Sequence, residues 1–195
     1  MTILLLCGFQ TTGKDFVYQN LHQGTFLDHW IVLSKNGFHH ELSSLITPSY
    51  QRVAFADKLK SYVLNKYHLP DSIQKSDRIP SLQKTYRELL IEEGTLKRDI
   101  DPFCWVSEAM DPWVLSSTSI CITDWRYKKE KEYIESKFDN VITARVYRSC
   151  VPVPTDKSEH ILDDVLTDFV FLSSEQDIEP FMDQFQQYKD YKLIL

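Results

Sequence analysis

An apolar run, Ile3-Leu4-Leu5-Leu6-Cys7, leads directly into Gly8-Phe9-Gln10-Thr11-Thr12-Gly13-Lys14-Asp15. This is the strand–loop–helix pattern G-x-x-x-x-G-K, with Asp15 where Ser or Thr is usual. Few sequence features restrict a chain as tightly. Gly8 and Gly13 permit backbone angles that a side chain would block, so the loop can wrap an anion. Its N–H groups form a concave nest, and the helix that follows presents its positive end to the same point. Lys14 adds a mobile ammonium. The pattern predicts a nucleoside triphosphate site built from Gly8, Gln10, Thr11, Thr12, Gly13, Lys14 and Asp15, with ATP as the expected ligand.

The rest of the chain reads as alternating strands and helices. Strands are expected at Thr2–Cys7, Gln51–Phe55, Ser119–Thr123, Val141–Tyr147 and Asp168–Leu172. Helices are expected at Lys14–Gln23, stopped by Gly24, and at Asp57–Tyr67, about Ser81–Lys97, Pro102–Met110, Lys128–Phe138 and Glu175–Tyr188. Residues 25–50 carry aromatics, Asn36-Gly37 and Thr47-Pro48, and read as an irregular insert or short hairpin. Ser149–Lys157 is Pro-rich and reads as a mobile lid. Apolar strands separated by helices imply an α/β fold: a parallel sheet covered on both faces in three layers, within a single domain over 1–195. Ligands of such sheets bind beyond the carboxyl ends of the strands.

Composition narrows the partners. A formal net charge of −6 over 195 residues argues against nucleic acid or an anionic membrane surface as the main partner. Ile3–Cys7 is too short for a signal peptide or a membrane span. Cys7, Cys104, Cys121 and Cys150 form no C-x-x-C pair, which favours reduced thiols in a cytoplasmic protein. His39-His40 lacks further ligands at zinc spacing and reads as a solvated loop pair.

Phosphoryl transfer needs anion neutralisation, a metal and in-line positioning. Asp15, and Asp124 at the end of the third strand, are the candidate Mg²⁺ ligands. Asp124 also suits a helix N-cap. Arg126 follows at the same sheet edge, and Arg145 and Arg148 flank the end of the fourth strand. Forked guanidiniums relieve the repulsion between two phosphates. Arg98, beside Asp99 and Asp101, is a further candidate.

These residues form an ordered set. Gly8 to Asp15 is followed by Phe55-Ala56-Asp57-Lys58-Leu59-Lys60, then Arg87-Glu88-Leu89-Leu90, Gly94-Thr95, Arg98-Asp99 and Pro102 to Val106. Asp124-Trp125-Arg126, Lys129-Glu130, Ser158-Glu159 and Leu162-Asp163 complete it. In this the chain resembles the deoxynucleoside monophosphate kinases of phages and large DNA viruses, and the related animal phosphomevalonate kinases, over most of its length except 25–50. It departs from them in lacking basic residues at Phe9–Thr12 and in having Lys157, not His, before the Ser-Glu pair.

The resemblance implies a P-loop kinase fold with a five-stranded parallel sheet in the order 2-3-1-4-5, Mg-ATP as donor and a small phosphorylated acceptor. It implies a catalytic set of Lys14, Asp124, Arg126 and Arg148. Asp57, Lys60, Arg98, Trp105 and Arg126 would hold the acceptor, with Trp105 offering a surface for a base. Arg145 would face ATP from the lid side. A homodimer is compatible with it, as is host cytoplasm as the location if the protein is viral. The expected reaction turns a deoxynucleoside 5′-monophosphate into its diphosphate. Phosphomevalonate as acceptor, or a catalytically silent nucleotide-binding regulator, are the alternatives.

Overall fold

The computed structural model describes residues 1–35, 39–46, 49–173 and 178–194. It is α/β, built on a mostly parallel mixed sheet with helices on both sides. The strands are β1 (Ile3–Cys7), β2 (Trp30–Ser34), β3 (Tyr50–Val53), the short pair β4 (Arg78–Ile79) and β5 (Lys84–Thr85), β6 (Ser119–Ile122), β7 (Val141–Tyr147), β8 (Phe169–Ser173) and β9 (Lys192–Leu193). The helices are α1 (Lys14–Gln23), α2 (Phe26–His29), α3 (His39–Ile46), α4 (Phe55–Tyr67), α5 (Tyr86–Ile100), α6 (Cys104–Met110), α7 (Lys128–Glu135) and α8 (Glu179–Gln184).

The main sheet runs β3-β6-β1-β7-β8-β2-β9. Neighbours from β3 to β8 are parallel, with Leu4 opposite Cys121 on one side and Ile142 on the other. β2 joins β8 antiparallel, Val32 opposite Phe171, and β9 closes the edge antiparallel to β2. The sheet is therefore not the five-stranded parallel one expected above: seven strands take part, and β2 runs against the others. The correction comes from 25–50, which supplies β2, and from Lys192–Leu193, which supplies β9. The 25–50 insert contains α2, β2 and α3 as regular elements. Trp30-Ile31-Val32-Leu33 is buried on both faces or nearly so, so it lacks the alternation that marks a half-exposed strand. Asn36-Gly37 and Thr47-Pro48 lie outside the described residues, as does the Glu175 start expected for the last helix.

Alternation along β1 sorts the core into two faces. Leu4 and Leu6 pack with Val17 and Leu21 of α1, Phe26 of α2 and Leu42 and Leu45 of α3. Ile3, Leu5 and Cys7 pack with Trp105, Val106 and Ala109 of α6 and Ile134 of α7. A third cluster joins Val170 and Leu172 of β8 to Phe181 of α8, with Phe185 and Tyr188 just beyond it.

Local chemistry sets the helix ends. Gly24, at φ 74°, closes α1 with its N–H on Leu21 and Asn20 carbonyls. α5 begins at Tyr86, not Ser81, because Thr85 and Glu88 form a reciprocal capping box: Glu88 N–H donates to Thr85 Oγ1 at 3.2 Å and Thr85 N–H to Glu88 Oε2 at 2.7 Å. The residues before it form the β4–β5 hairpin. Among the described residues, no helix is long and apolar enough to cross a membrane.

Candidate functional site

Because β1, β3, β6 and β7 are parallel, their carboxyl ends fall on one edge. The segments leaving them carry Gly8–Asp15, Asp57, Asp124 with Arg126, and Arg148. The loop is shaped by its own backbone. Gly8 sits at φ 136°, and a Cβ there would lie 2.3 Å from the Val146 carbonyl oxygen. Only glycine fits this approach to β7. Gly13 is at φ 99° and Thr11 at φ 68°. Thr12 is buried, donating from Oγ1 to the Phe9 carbonyl at 2.9 Å.

Lys14 folds back over the loop, its Nζ donating to the carbonyls of Gly8 at 2.7 Å and Phe9 at 2.8 Å. Burial pulls this ammonium below the usual lysine range, opposed chiefly by the nearby Glu159 carboxylate. Arg148 lies beside the loop, its Cδ 3.9 Å from where a Gly13 Cβ would be. Arg148 Nε is buried and has no hydrogen-bond partner among the described residues. A buried guanidinium donor without a partner, next to an amide-lined nest and a lysine, is what a polyphosphate would satisfy. The residues fit ATP on this observation.

They fit Mg²⁺ less completely. Asp124 was expected as a metal ligand, but both its oxygens cap α4, accepting from Phe55 N–H at 2.9 Å and Ala56 N–H at 2.8 Å. The end of β6 lies against the start of α4, so the carboxylate meets orphan helix amides first. Burial pushes its pKa up, against the pull of those two bonds. Asp15 is 64% exposed and pairs through Oδ1 with Arg52 Nε at 2.7 Å. It is the acid with an oxygen left open. Among the described residues no cluster of three His, Cys, Asp or Glu side chains forms a metal cage. Mg²⁺ normally takes one or two carboxylates and completes its shell with water and phosphate oxygens. Asp15 suits that minimal role, and no step below is routed through the ion.

The acceptor-side candidates divide. Asp57 and Lys60 pair at 2.8 Å, and Arg52 reaches Asp57 at 3.1 Å, giving a chain Asp15–Arg52–Asp57–Lys60. Burial opposes ionisation of Asp57, but Lys60 and Arg52 hold its carboxyl below the usual range. Arg98 stacks over Tyr127, Cζ 4.4 Å from the ring centroid, and donates to the Gly94 carbonyl at 3.2 Å. Trp105 does not offer a face to a ligand. It is 2% exposed, its Nε1 donates to the Gly94 carbonyl at 3.4 Å, and Tyr62 meets it edge-on at 5.8 Å.

Arg145 is likewise committed elsewhere. It is 2% exposed, donates to Tyr188 Oη at 3.1 Å and to the Leu162 carbonyl, and lies over the Phe185 ring at 4.8 Å. Its side chain joins β7 to the 3-10 turn after α8, which keeps it from the Gly8–Asp15 loop. Of the expected lid, Ser149–Lys157, residues 149–156 form no helix or strand, and Lys157 opens a 3-10 turn. Their far end is fastened by His160, whose Nε2 lies 2.7 Å from the Pro154 carbonyl and whose Nδ1 lies 2.6 Å from Asp163.

Three residues were not singled out as site residues from the sequence. Arg52 is one. Glu159 is the second, its side chain 5% exposed. Its Oε2 accepts the Gln10 N–H of the loop at 2.8 Å, and its Oε1 pairs with Arg126, which also reaches Ser158 Oγ at 3.4 Å. Glu130 is the third. Buried at the start of α7, its Oε2 accepts the N–H of Arg126 and of Tyr127, each at 2.9 Å, and so fixes the backbone that presents Arg126.

Burial raises the Glu130 pKa from 4.5 to about 7, the two amides pulling the other way and Asp124 adding to the rise. A carboxyl raised in the folded state stabilises most when protonated. Its contribution is full below about pH 4.5 and is lost as pH rises through about 7. Glu130→Gln keeps a carbonyl acceptor without the charge. In thermal melts from pH 4 to 8, variant-minus-wild-type stability is expected to climb with pH and level off above about 7, by on the order of 3 kcal/mol. A difference that stays flat across that range would contradict the assignment.

No protein-family model and no curated protein sequence matches this chain.

Proposed function

We propose that this chain is a P-loop kinase that transfers the γ-phosphoryl group of ATP to the phosphate of a deoxynucleoside 5′-monophosphate. The observation that carries the reading is the loop itself: Gly8 and Gly13 at positive φ, Lys14 held over it, and Arg148 Nε buried beside it without a partner. The parallel run β3-β6-β1-β7-β8, which brings four loop segments to one edge, supports it. The four cysteines form no disulfide among the described residues, in keeping with a cytoplasmic location.

The chemistry asks little covalent work of the protein. An acceptor phosphate oxygen attacks the γ-phosphorus, the bond to the β–γ bridging oxygen breaks, and the electron pair leaves with ADP. The acceptor is already anionic, so no strong base is needed. Lys14, Arg126 and Arg148 neutralise the crowded phosphates and align them.

Glu159 competes for this charge. Its carboxylate takes the Gln10 N–H and Arg126 and sits close to Lys14. Glu159→Gln removes a negative charge that opposes the triphosphate, so the ATP dissociation constant is expected to fall about tenfold. Equilibrium dialysis with labelled ATP measures it, and an unchanged constant would mean that Glu159 moves clear of the phosphates at no cost.

A coupled ADP-release assay over the four deoxynucleoside monophosphates and phosphomevalonate tests the function. Turnover with one or more of the nucleotides is the expected result. Turnover with phosphomevalonate alone, or ATP binding without turnover, would overturn it.

A further inference from the structure

Next to the phosphate loop lies an open cleft of about 720 Å³. Lys60 of α4 forms one wall, Gln74, Lys75 and Ser76 a second, and Tyr86 and Arg87 at the start of α5 a third. The volume is within the range of small-molecule sites, about 300–1,000 Å³. Among the described residues, no acidic side chain lines it.

Its walls are pinned. Arg87 N–H donates to the Lys75 carbonyl at 3.0 Å, Tyr86 N–H to the Asp77 carbonyl at 2.9 Å, and Gln74 N–H to Asp77 Oδ2 at 2.8 Å. The segment carrying Lys75 is thus fastened to the first turn of α5. Arg87 also reaches across to Gln10 Oε1 at 3.5 Å, which sets the cleft against Gly8–Asp15.

The charge inside is only partly compensated. Lys60 is paired with Asp57. Among the described residues, no carboxylate lies within ion-pair distance of Lys75 or Arg87. Burial lowers the Lys75 pKa, and Lys60, Arg87 and Arg126 lower it further, as crowded cations do. Cations that outnumber the acids beside them repel one another and raise the local potential for an anion. The donor chemistry is that of phosphate recognition: a forked guanidinium and a mobile ammonium on facing walls.

We propose that this cleft binds the phosphate monoester of the acceptor, with Lys75 and Arg87 as its principal contacts. The inference rests on the kinase reading only in taking the donor to lie at Gly8–Asp15. It moves the acceptor phosphate away from Arg98 and Trp105, which the fold engages, to residues that face open space.

Calorimetry on the full chain tests it. The probes are the four deoxynucleoside monophosphates, the corresponding deoxynucleosides and phosphomevalonate, titrated into wild type, Lys75→Ala, Arg87→Ala and the double variant. Each single change is expected to weaken the bound monoester about tenfold and the pair about 100-fold, with ATP and deoxynucleoside binding unchanged. Both side chains are exposed, so melts of the variants should match wild type. Arg87→Lys should recover part of the loss. The monoester that binds the wild type identifies the acceptor as nucleotide or phosphomevalonate. Full monoester affinity in the double variant, or no monoester bound by the wild type, overturns the proposal. A wild type that turns over while the double variant keeps its acceptor KM would sink the cleft and spare the kinase reading. Monoester binding lost in the double variant, with no transfer from ATP in the wild type, would do the reverse.

Discussion

Lys14→Met is expected to lower phosphoryl transfer by about 10²-fold or more while leaving the melting temperature nearly unchanged. The ammonium donates to the Gly8 and Phe9 carbonyls at 2.7 and 2.8 Å, and burial weakens its hold on the proton. A cation kept in partial desolvation has little to offer the folded state. It has much to offer a γ-phosphate, whose charge in the transition state it meets with few competing waters. Methionine retains most of the stem's length and packing and removes only the charge. The two loop carbonyls lose a donor, but the Phe9 carbonyl keeps its bond from Thr12 Oγ1 at 2.9 Å. Steady-state kinetics and a thermal melt on the same preparation separate the two effects. Near-normal turnover in a well-folded variant would remove Lys14, and with it the loop, from the chemistry.

Trp105→Ala is expected to cost about 3–5 kcal/mol of stability, a fall on the order of 10 °C in melting temperature. The indole is 2% exposed and packs in the cluster beneath β1 and β6, against Tyr62 and under the Lys97 ammonium at 5.0 Å. Alanine would leave a large cavity there and remove the Nε1 bond to the Gly94 carbonyl at 3.4 Å, leaving that oxygen its bond from Arg98 at 3.2 Å. That loss is a large part of the 5–15 kcal/mol that typically holds a domain together. A ligand-stacking role predicts the opposite pattern: an unchanged melt and weakened binding of nucleotide acceptors. Differential scanning calorimetry decides between them, and Trp105→Phe, which keeps most of the volume, should fall between wild type and Trp105→Ala.

What was legible was local. The strand Ile3–Cys7, the loop and α1 follow from neighbouring residues, and the structure has β1 and α1 within a residue of where the pattern puts them. The burial of β1 on both faces follows from its unbroken apolar run. β2 was missed for the same physics turned around: an apolar run buried on both faces carries no period, and aromatic residues on either side hid it. α5 was placed too early because Leu82 extends the apolar pattern, although Thr85-x-x-Glu88 marks the true start.

The charges were the least legible part. Asp124, Arg145 and Trp105 each have residue types that suit a site, yet each is engaged by elements far along the chain. Asp124 caps a helix 69 residues before it, and Arg145 reaches Tyr188 43 residues on. Glu159 meets Gln10 across 149 residues, and Arg52 meets Asp15 across 37.

The sequence by itself determined the shape of the Gly8–Asp15 loop, because it depends on φ angles at Gly8 and Gly13 and on bonds spanning a few residues. It also determined that a covered sheet would present that loop at a strand end. Only the tertiary structure decided which of the charged residues face the loop, which are spent on helix caps and buried pairs, and that Lys75 and Arg87 stand together. A charge acts over several ångströms, and which partners fall inside that distance is set by how the strands are ordered, not by their order in the chain.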